Sequence, residues 1–129
     1  MNRKRILLAD DHAEMLEEVR ALLDKEYEIV GAVQDGKQLV QAAEELKPDL
    51  IVSDISMPEM NGFEAAAKIR SLGLSSKLIF LTVQSSPGYL RKARSLGALG
   101  YVLKVYTTEQ LPLAIASVLA GNPFFSPEL

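Results

Sequence analysis

Two hydrophobic periods alternate along the chain, and the alternation runs five times from end to end. Short β-type runs at Lys4–Ala9, Tyr27–Val33, Leu50–Ser53, Lys77–Leu81 and Gly100–Leu103 predict strands. Three of these are nearly unbroken apolar runs, which suits strands covered on both faces of a parallel sheet. Between them, apolar residues recur at helical spacing: Met15, Val19, Leu22 and Leu23; Leu39, Val40, Ala43 and Leu46; Leu111, Ala114, Ile115 and Val118. Such stripes predict helices with one face buried against the sheet. An alanine-rich third helix runs from Phe63 to about Leu72, and Ser86-Pro87 opens the fourth, because proline suits the first helical position. Capping-box spacing pairs Asp11 with Glu14, Asp35 with Gln38, Asn61 with Glu64 and Thr107 with Gln110. Residues 122–129 follow a helix stop at Gly121 and read as a tail or the start of a linker after a domain of residues 1–121. Phe124-Phe125 either packs back onto the domain or bridges to another one, and the pattern does not choose.

Five strand–helix units in succession predict a doubly wound α/β fold. Right-handed crossovers then bring every strand's C-terminal end to one edge of the sheet. Asp10-Asp11 follow "RILLA", Asp54 follows "PDLIVS", Thr82 follows "KLIFL" and Lys104 follows "GYVL". A carboxylate or ammonium directly after an apolar strand is poorly placed for stability and well placed for chemistry. The shared edge is where open α/β sheets hold their ligands.

The 129 residues fit one domain with a sizeable core. No apolar run approaches the roughly 20 residues that span a bilayer. The basic start (Arg3, Lys4, Arg5) leads into a first strand, not a signal peptide. Cysteine is absent, which excludes disulfides, thiolate zinc sites and cysteine nucleophiles and suits a cytoplasmic setting. Seventeen acidic against 14 basic residues give a net charge of −3, which argues against direct nucleic-acid binding by this domain.

Gathering Asp10, Asp11 and Asp54 at one edge is costly unless a cation joins them. Hard oxygen donors suit Mg²⁺, which favours one or two carboxylates plus a phosphate. With Lys104 opposite, the set points to phosphoryl transfer, the metal and the ammonium neutralising charge on the phosphoryl oxygens. A carboxylate can itself be the nucleophile, giving an aspartyl phosphate, and Thr82 can then hydrogen-bond a phosphoryl oxygen. Each residue alone has a plainer reading: Asp11 as a helix cap, Thr82 as a β-branched strand residue, Lys104 as a solvated lysine. Their convergence favours chemistry. His12 reads as an exposed residue at a helix start rather than a ligand, and Arg91, Lys92 and Arg94 as the solvated face of the fourth helix.

The segments "LLADDH", "DLIVSDISMPEMNGFE", "LIFLT" and "GALGYVLK", in that order, resemble the receiver domain of bacterial two-component response regulators. The wording is most similar to the branch with a LuxR-type helix-turn-helix output domain. The resemblance implies a flavodoxin-like (βα)5 fold, with a five-stranded parallel sheet of order 2-1-3-4-5 and helices on both faces. It implies that Asp54 is the phosphoacceptor, charged by the phosphohistidine of a sensor histidine kinase. Asp11 would bind Mg²⁺ directly and Asp10 would assist, with Asp54 and the Ser56 backbone carbonyl completing the protein ligands. Lys104 would pair with the phosphoryl group; Thr82 would move toward it, and Tyr101 would follow by turning inward. Met57-Pro58 and Asn61-Gly62 would shape the loop after Asp54. The domain would be a cytoplasmic signalling module, catalysing only its own Mg²⁺-dependent phosphorylation and autodephosphorylation. Its output, such as transcription, would be controlled through the face formed by the fourth helix, fifth strand and fifth helix. That face would serve a homodimer or a C-terminal DNA-binding domain, and Tyr89, Tyr101 and Tyr106 lie in this region.

Two positions depart from the family's common pattern. Val83 stands where a small residue is usual, and its bulk predicts slow phosphorylation and dephosphorylation. Val105 stands where proline is frequent, so no cis peptide is expected there. Two other readings compete: a Mg²⁺-dependent phosphatase or phosphotransferase, which would need a substrate pocket or cap, and a receiver-like module that signals without phosphate. The intact set of Asp10, Asp11, Asp54, Thr82 and Lys104 argues against the second.

Overall fold

The computed structural model describes residues 2–129. Strands β1 (Arg5–Ala9), β2 (Glu28–Val33), β3 (Leu50–Ser53), β4 (Lys77–Thr82) and β5 (Gly100–Leu103) alternate with helices α1 (Ala13–Leu23), α2 (Gly36–Leu46), α3 (Gly62–Ser71), α4 (Pro87–Ser95) and α5 (Thr107–Leu119). A short strand, β6 (Phe124–Phe125), follows. All strands are parallel, in the order β2-β1-β3-β4-β5-β6.

Alternation along each strand sorts the core into two layers. Ile6 and Leu8 of β1, Leu50 and Val52 of β3, Ile79 and Leu81 of β4 and Val102 of β5 meet α1 and α5 on one face. Leu7 and Ala9 with Ile51 meet α2 and α3 on the other face, while Phe80, Tyr101 and Leu103 pack with α4 residues. Burial on both sides explains why these strands read as continuous apolar runs.

The sequence implied five strands; the sheet has six. Gly121, at φ 91°, ends α5 in a left-handed turn that glycine adopts without strain. The chain then returns along the free edge of β5, pairing Phe124 with Gly100 and Phe125 with Tyr101. A two-residue strand is too short to show a period, so only the unpaired backbone of β5 could call for it. Phe124-Phe125 therefore packs back onto the domain.

Two of the expected caps form and two do not. The Asn61 side chain accepts the Glu64 N–H and the Glu64 carboxylate accepts the Asn61 N–H, a complete capping box at α3. Asp35 accepts the Gln38 N–H at α2. At α1 the cap position is His12, without a side-chain cap bond, because Asp10 takes the His12 N–H and Asp11 is left outside the helix. At α5 the chain runs straight from a 3-10 turn, Lys104–Tyr106, into the helix, so Thr107 lies inside it and donates its hydroxyl to the Lys104 carbonyl.

Candidate functional site at the C-terminal edge of the sheet

β1 and β3 are hydrogen-bonded neighbours, and their pairing continues one residue past the strands: the Asp54 N–H donates to the Ala9 carbonyl at 2.9 Å. Asp10 and Asp54 thereby lie side by side, 4% and 5% exposed. Two buried like charges at close range are unfavourable without a counter-charge. Lys104 supplies it. Its Nζ lies 2.8 Å from Asp10 Oδ2 and 2.9 Å from Asp54 Oδ2. Burial alone would lower the lysine's pKa; hydrogen bonds to Asp10 and Asp54, and their negative charge, outweigh it and raise the pKa above its usual 10.5.

The remaining oxygen of each carboxylate is also held. Asp54 Oδ1 accepts the N–H of Ile55 at 2.7 Å. Asp10 Oδ1 accepts the N–H of His12 at 2.9 Å. Asp11 stands at the solvent side, with its Oδ1 3.1 Å from His12 Nδ1. His12, set aside by the sequence reading as an exposed helix-start residue, is 70% exposed at its side chain yet touches both Asp10 and Asp11. Its place directly after the two aspartates was the available signal.

Oxygen or nitrogen donors of Asp10, Asp11, His12 and Asp54 lie within 4.8 Å of one another. A set dominated by carboxylate oxygens, one of them solvent-facing, fits a hard cation such as Mg²⁺ with open positions. Ser56 is exposed two residues beyond Asp54, on the loop that Gly62 closes by donating its N–H to the Ile55 carbonyl at 2.7 Å.

Thr82, fully buried at the end of β4, accepts the Gln84 N–H at 3.1 Å. Tyr101 donates its hydroxyl to the Gln84 carbonyl at 2.7 Å. The backbone of Gln84 thus joins the two residues that the resemblance named as a switch, a connection invisible in sequence because it uses no side chain of Gln84. Tyr101 is already turned inward, with no exposed surface. Burial, followed by the nearby Tyr89 and the Asp54 charge, pushes its pKa up to about 12. Val83 and Val105 are 70% and 78% exposed, on the segments directly after Thr82 and Lys104. Arg91, Lys92 and Arg94 are all exposed on α4, and the Arg94 guanidinium lies 5.0 Å over the Phe125 ring.

The family model for the response regulator receiver domain matches residues 6–116, which contain every side chain of this edge. The chain belongs to the response regulator receiver family. Among its relatives, the transcriptional regulatory protein DesR of Bacillus subtilis (strain 168) is 36% identical over 126 residues, 96% of this receiver and 62% of DesR. The receiver therefore spans less than two thirds of DesR's length. A LuxR-family two-component response regulator from Aurantimonas sp. SI85-9A1 superposes with a TM-score of 0.93 at 31% identity, covering 98% of this receiver and 92% of that chain. The isolated receiver domain of RcsB from Salmonella enterica serovar Typhimurium, solved with the phosphomimetic BeF₃⁻, superposes with a TM-score of 0.89 at 27% identity, covering 98% and 95%. The receiver is a signalling domain whose homologues are transcriptional regulators. Among the described residues, no helix is long and apolar enough to cross a membrane.

Proposed function

We propose that this receiver accepts a phosphoryl group on Asp54 from the phosphohistidine of a sensor histidine kinase. The observation that carries the reading is the buried Asp54 carboxylate sharing Lys104 with Asp10, at 2.9 and 2.8 Å. A carboxylate oxygen of Asp54 attacks the donor phosphorus; the phosphorus–oxygen bond forms as the phosphorus–nitrogen bond breaks, and the released imidazole keeps the electron pair. Lys104 holds charge on the transferred oxygens, and catalysis is mostly positioning and electrostatics. Asp10, Asp11, Asp54 and the Ser56 carbonyl would hold Mg²⁺. Bound there, the ion supplies Lewis-acid stabilisation of phosphoryl charge. Thr82 offers its hydroxyl to a phosphoryl oxygen, and Val83 narrows the approach from solvent.

The added charge biases the face of α4, β5 and α5 through Thr82 and Tyr101, controlling transcription through an output domain or a second receiver. The setting is cytoplasmic, and the receiver extends past residues 1–121 to take in β6, which pairs with β5. The test is intact mass after incubation with a small-molecule phosphodonor and Mg²⁺. One base-labile phosphoryl group is expected, absent in Asp54→Ala and in the presence of a chelator. A folded chain that neither the phosphodonor nor a cognate kinase modifies would retire the reading.

A further inference from the structure

Ser126 is 2% exposed although it belongs to the tail after β6. Its N–H donates to the Tyr101 carbonyl at 2.9 Å, and its hydroxyl accepts the N–H of Leu103 at 3.0 Å. That hydroxyl donates in turn to the Gln110 Oε1 of α5, and Gln110 Nε2 donates to Glu128 at 2.7 Å. At the other end of the strap, the Phe124 N–H donates to the Leu99 carbonyl at 2.9 Å, and Phe125 lies under Arg94 of α4. One short segment therefore touches α4, β5 and α5 together.

Leu103 directly precedes Lys104. The backbone bearing the lysine is pinned before it by Ser126 and after it by Thr107, whose hydroxyl lies 2.6 Å from the Lys104 carbonyl. With both pins in place, Nζ sits against Asp10 and Asp54 at direct hydrogen-bond distance, and no phosphoryl group fits between it and Asp54 Oδ2. Loading at Asp54 Oδ2 therefore shifts Nζ from the carboxylate onto a phosphoryl oxygen, and the backbone that carries the lysine must accommodate the move. The pin in the tail is the one that can be released without unwinding α5.

We propose that Ser126 is a positioning residue for Lys104 and that Phe124–Glu128 is a releasable strap: loading of Asp54 loosens it and bares the β5 edge. The inference rests on Asp54 being the phosphoacceptor. Linkage requires reciprocity: what the loaded site does to the strap, loss of the strap does to affinity at the site.

The test uses the full chain with beryllofluoride and Mg²⁺ as the phosphoryl mimic, reading amide hydrogen exchange at Leu103, Phe124 and Ser126 alongside affinity for the mimic. The expected result is exchange about fivefold faster at those amides when the mimic is bound, with β1 and β3 amides unchanged. S126A should bind the mimic tighter by the same factor. F125A, which loosens the strap without touching the hydroxyl, should do likewise and guards against a misfolded serine variant. If the mimic binds but the strap amides and both variants' affinities match the parent, the strap inference falls and the phosphoacceptor reading stands. If the mimic does not bind the parent at all, both fall.

Discussion

At the scale of single residues, the site is a balance of charges that the fold would not tolerate piecemeal. Asp10 and Asp54 are nearly fully buried, and Lys104 is the ammonium between them. Val83 directly follows Thr82 at the rim of the site, where the resemblance leads one to expect a smaller residue. It is 70% exposed, so it contributes little to the core, and the proposed role is control of access at the rim. Val83→Ala is expected to leave stability within about 0.5 kcal/mol, as for most surface substitutions. It should raise both the phosphorylation and autodephosphorylation rates; rates equal to or below the parent's, measured by time-resolved phosphoryl incorporation and loss, would count against an access role. The residue scale also shows what the sequence could not supply: the Gln84 backbone joins Thr82 to Tyr101 through its own N–H and carbonyl.

At the scale of elements, the segment between β3 and α3 shows how local sequence builds the site. The capping box of Asn61 and Glu64 sets where α3 begins. Gly62 then stands so close to the strand end that a methyl group there would overlap the Asp54 carbonyl oxygen and crowd Ile55 Cα. The requirement is space, since Gly62 is not among the residues with positive φ. Asn61→Ala should cost about 1 kcal/mol, the usual loss for a cap. Gly62→Ala should cost about 3 kcal/mol, as overpacking against backbone does. It should also depress phosphoryl incorporation, because the atom displaced belongs to Asp54, the proposed phosphoacceptor. Urea denaturation of both variants checks the order; a Gly62→Ala chain as stable as Asn61→Ala would contradict it.

At the scale of the whole molecule, a partly buried lysine and a buried tyrosine tie stability to alkaline pH. Lys104 is raised above 10.5 by its carboxylate partners against the opposing effect of burial, and Tyr101 is raised from 10.0 to about 12, chiefly by burial. In both cases the folded chain holds the proton more tightly than the unfolded chain. Their contributions are therefore complete below the unfolded pKa values and are lost as pH rises through the folded ones. Stability should change little on their account between about pH 7 and 9 and fall from about pH 10 upward. Tyr101→Phe should weaken that alkaline fall while costing about 1 kcal/mol at neutral pH, through loss of the hydrogen bond to the Gln84 carbonyl. Circular dichroism with urea at stepped pH checks this, and a parent with no loss of stability between pH 10 and 12 would refute it.

Pattern along the chain was enough for the five strand–helix units, the two-sided burial of the strands and the gathering of Asp10, Asp11, Asp54, Thr82 and Lys104 at one edge. These follow from short-range periodicity and from the handedness of parallel crossovers, both legible in one dimension. The remaining features came mostly from contacts between parts of the chain far apart in sequence. The sixth strand exists because β5 had an unpaired edge within reach of the chain after Gly121. Ser126 is buried because that strand carries it to the Leu103 N–H and the Gln110 side chain. The caps expected at Asp11 and Thr107 gave way because Asp10 and the Lys104 carbonyl claimed the local hydrogen bonds. A hydrogen-bond partner distant in sequence leaves no periodic trace, so pairing of this kind is fixed only when the chain has closed on itself.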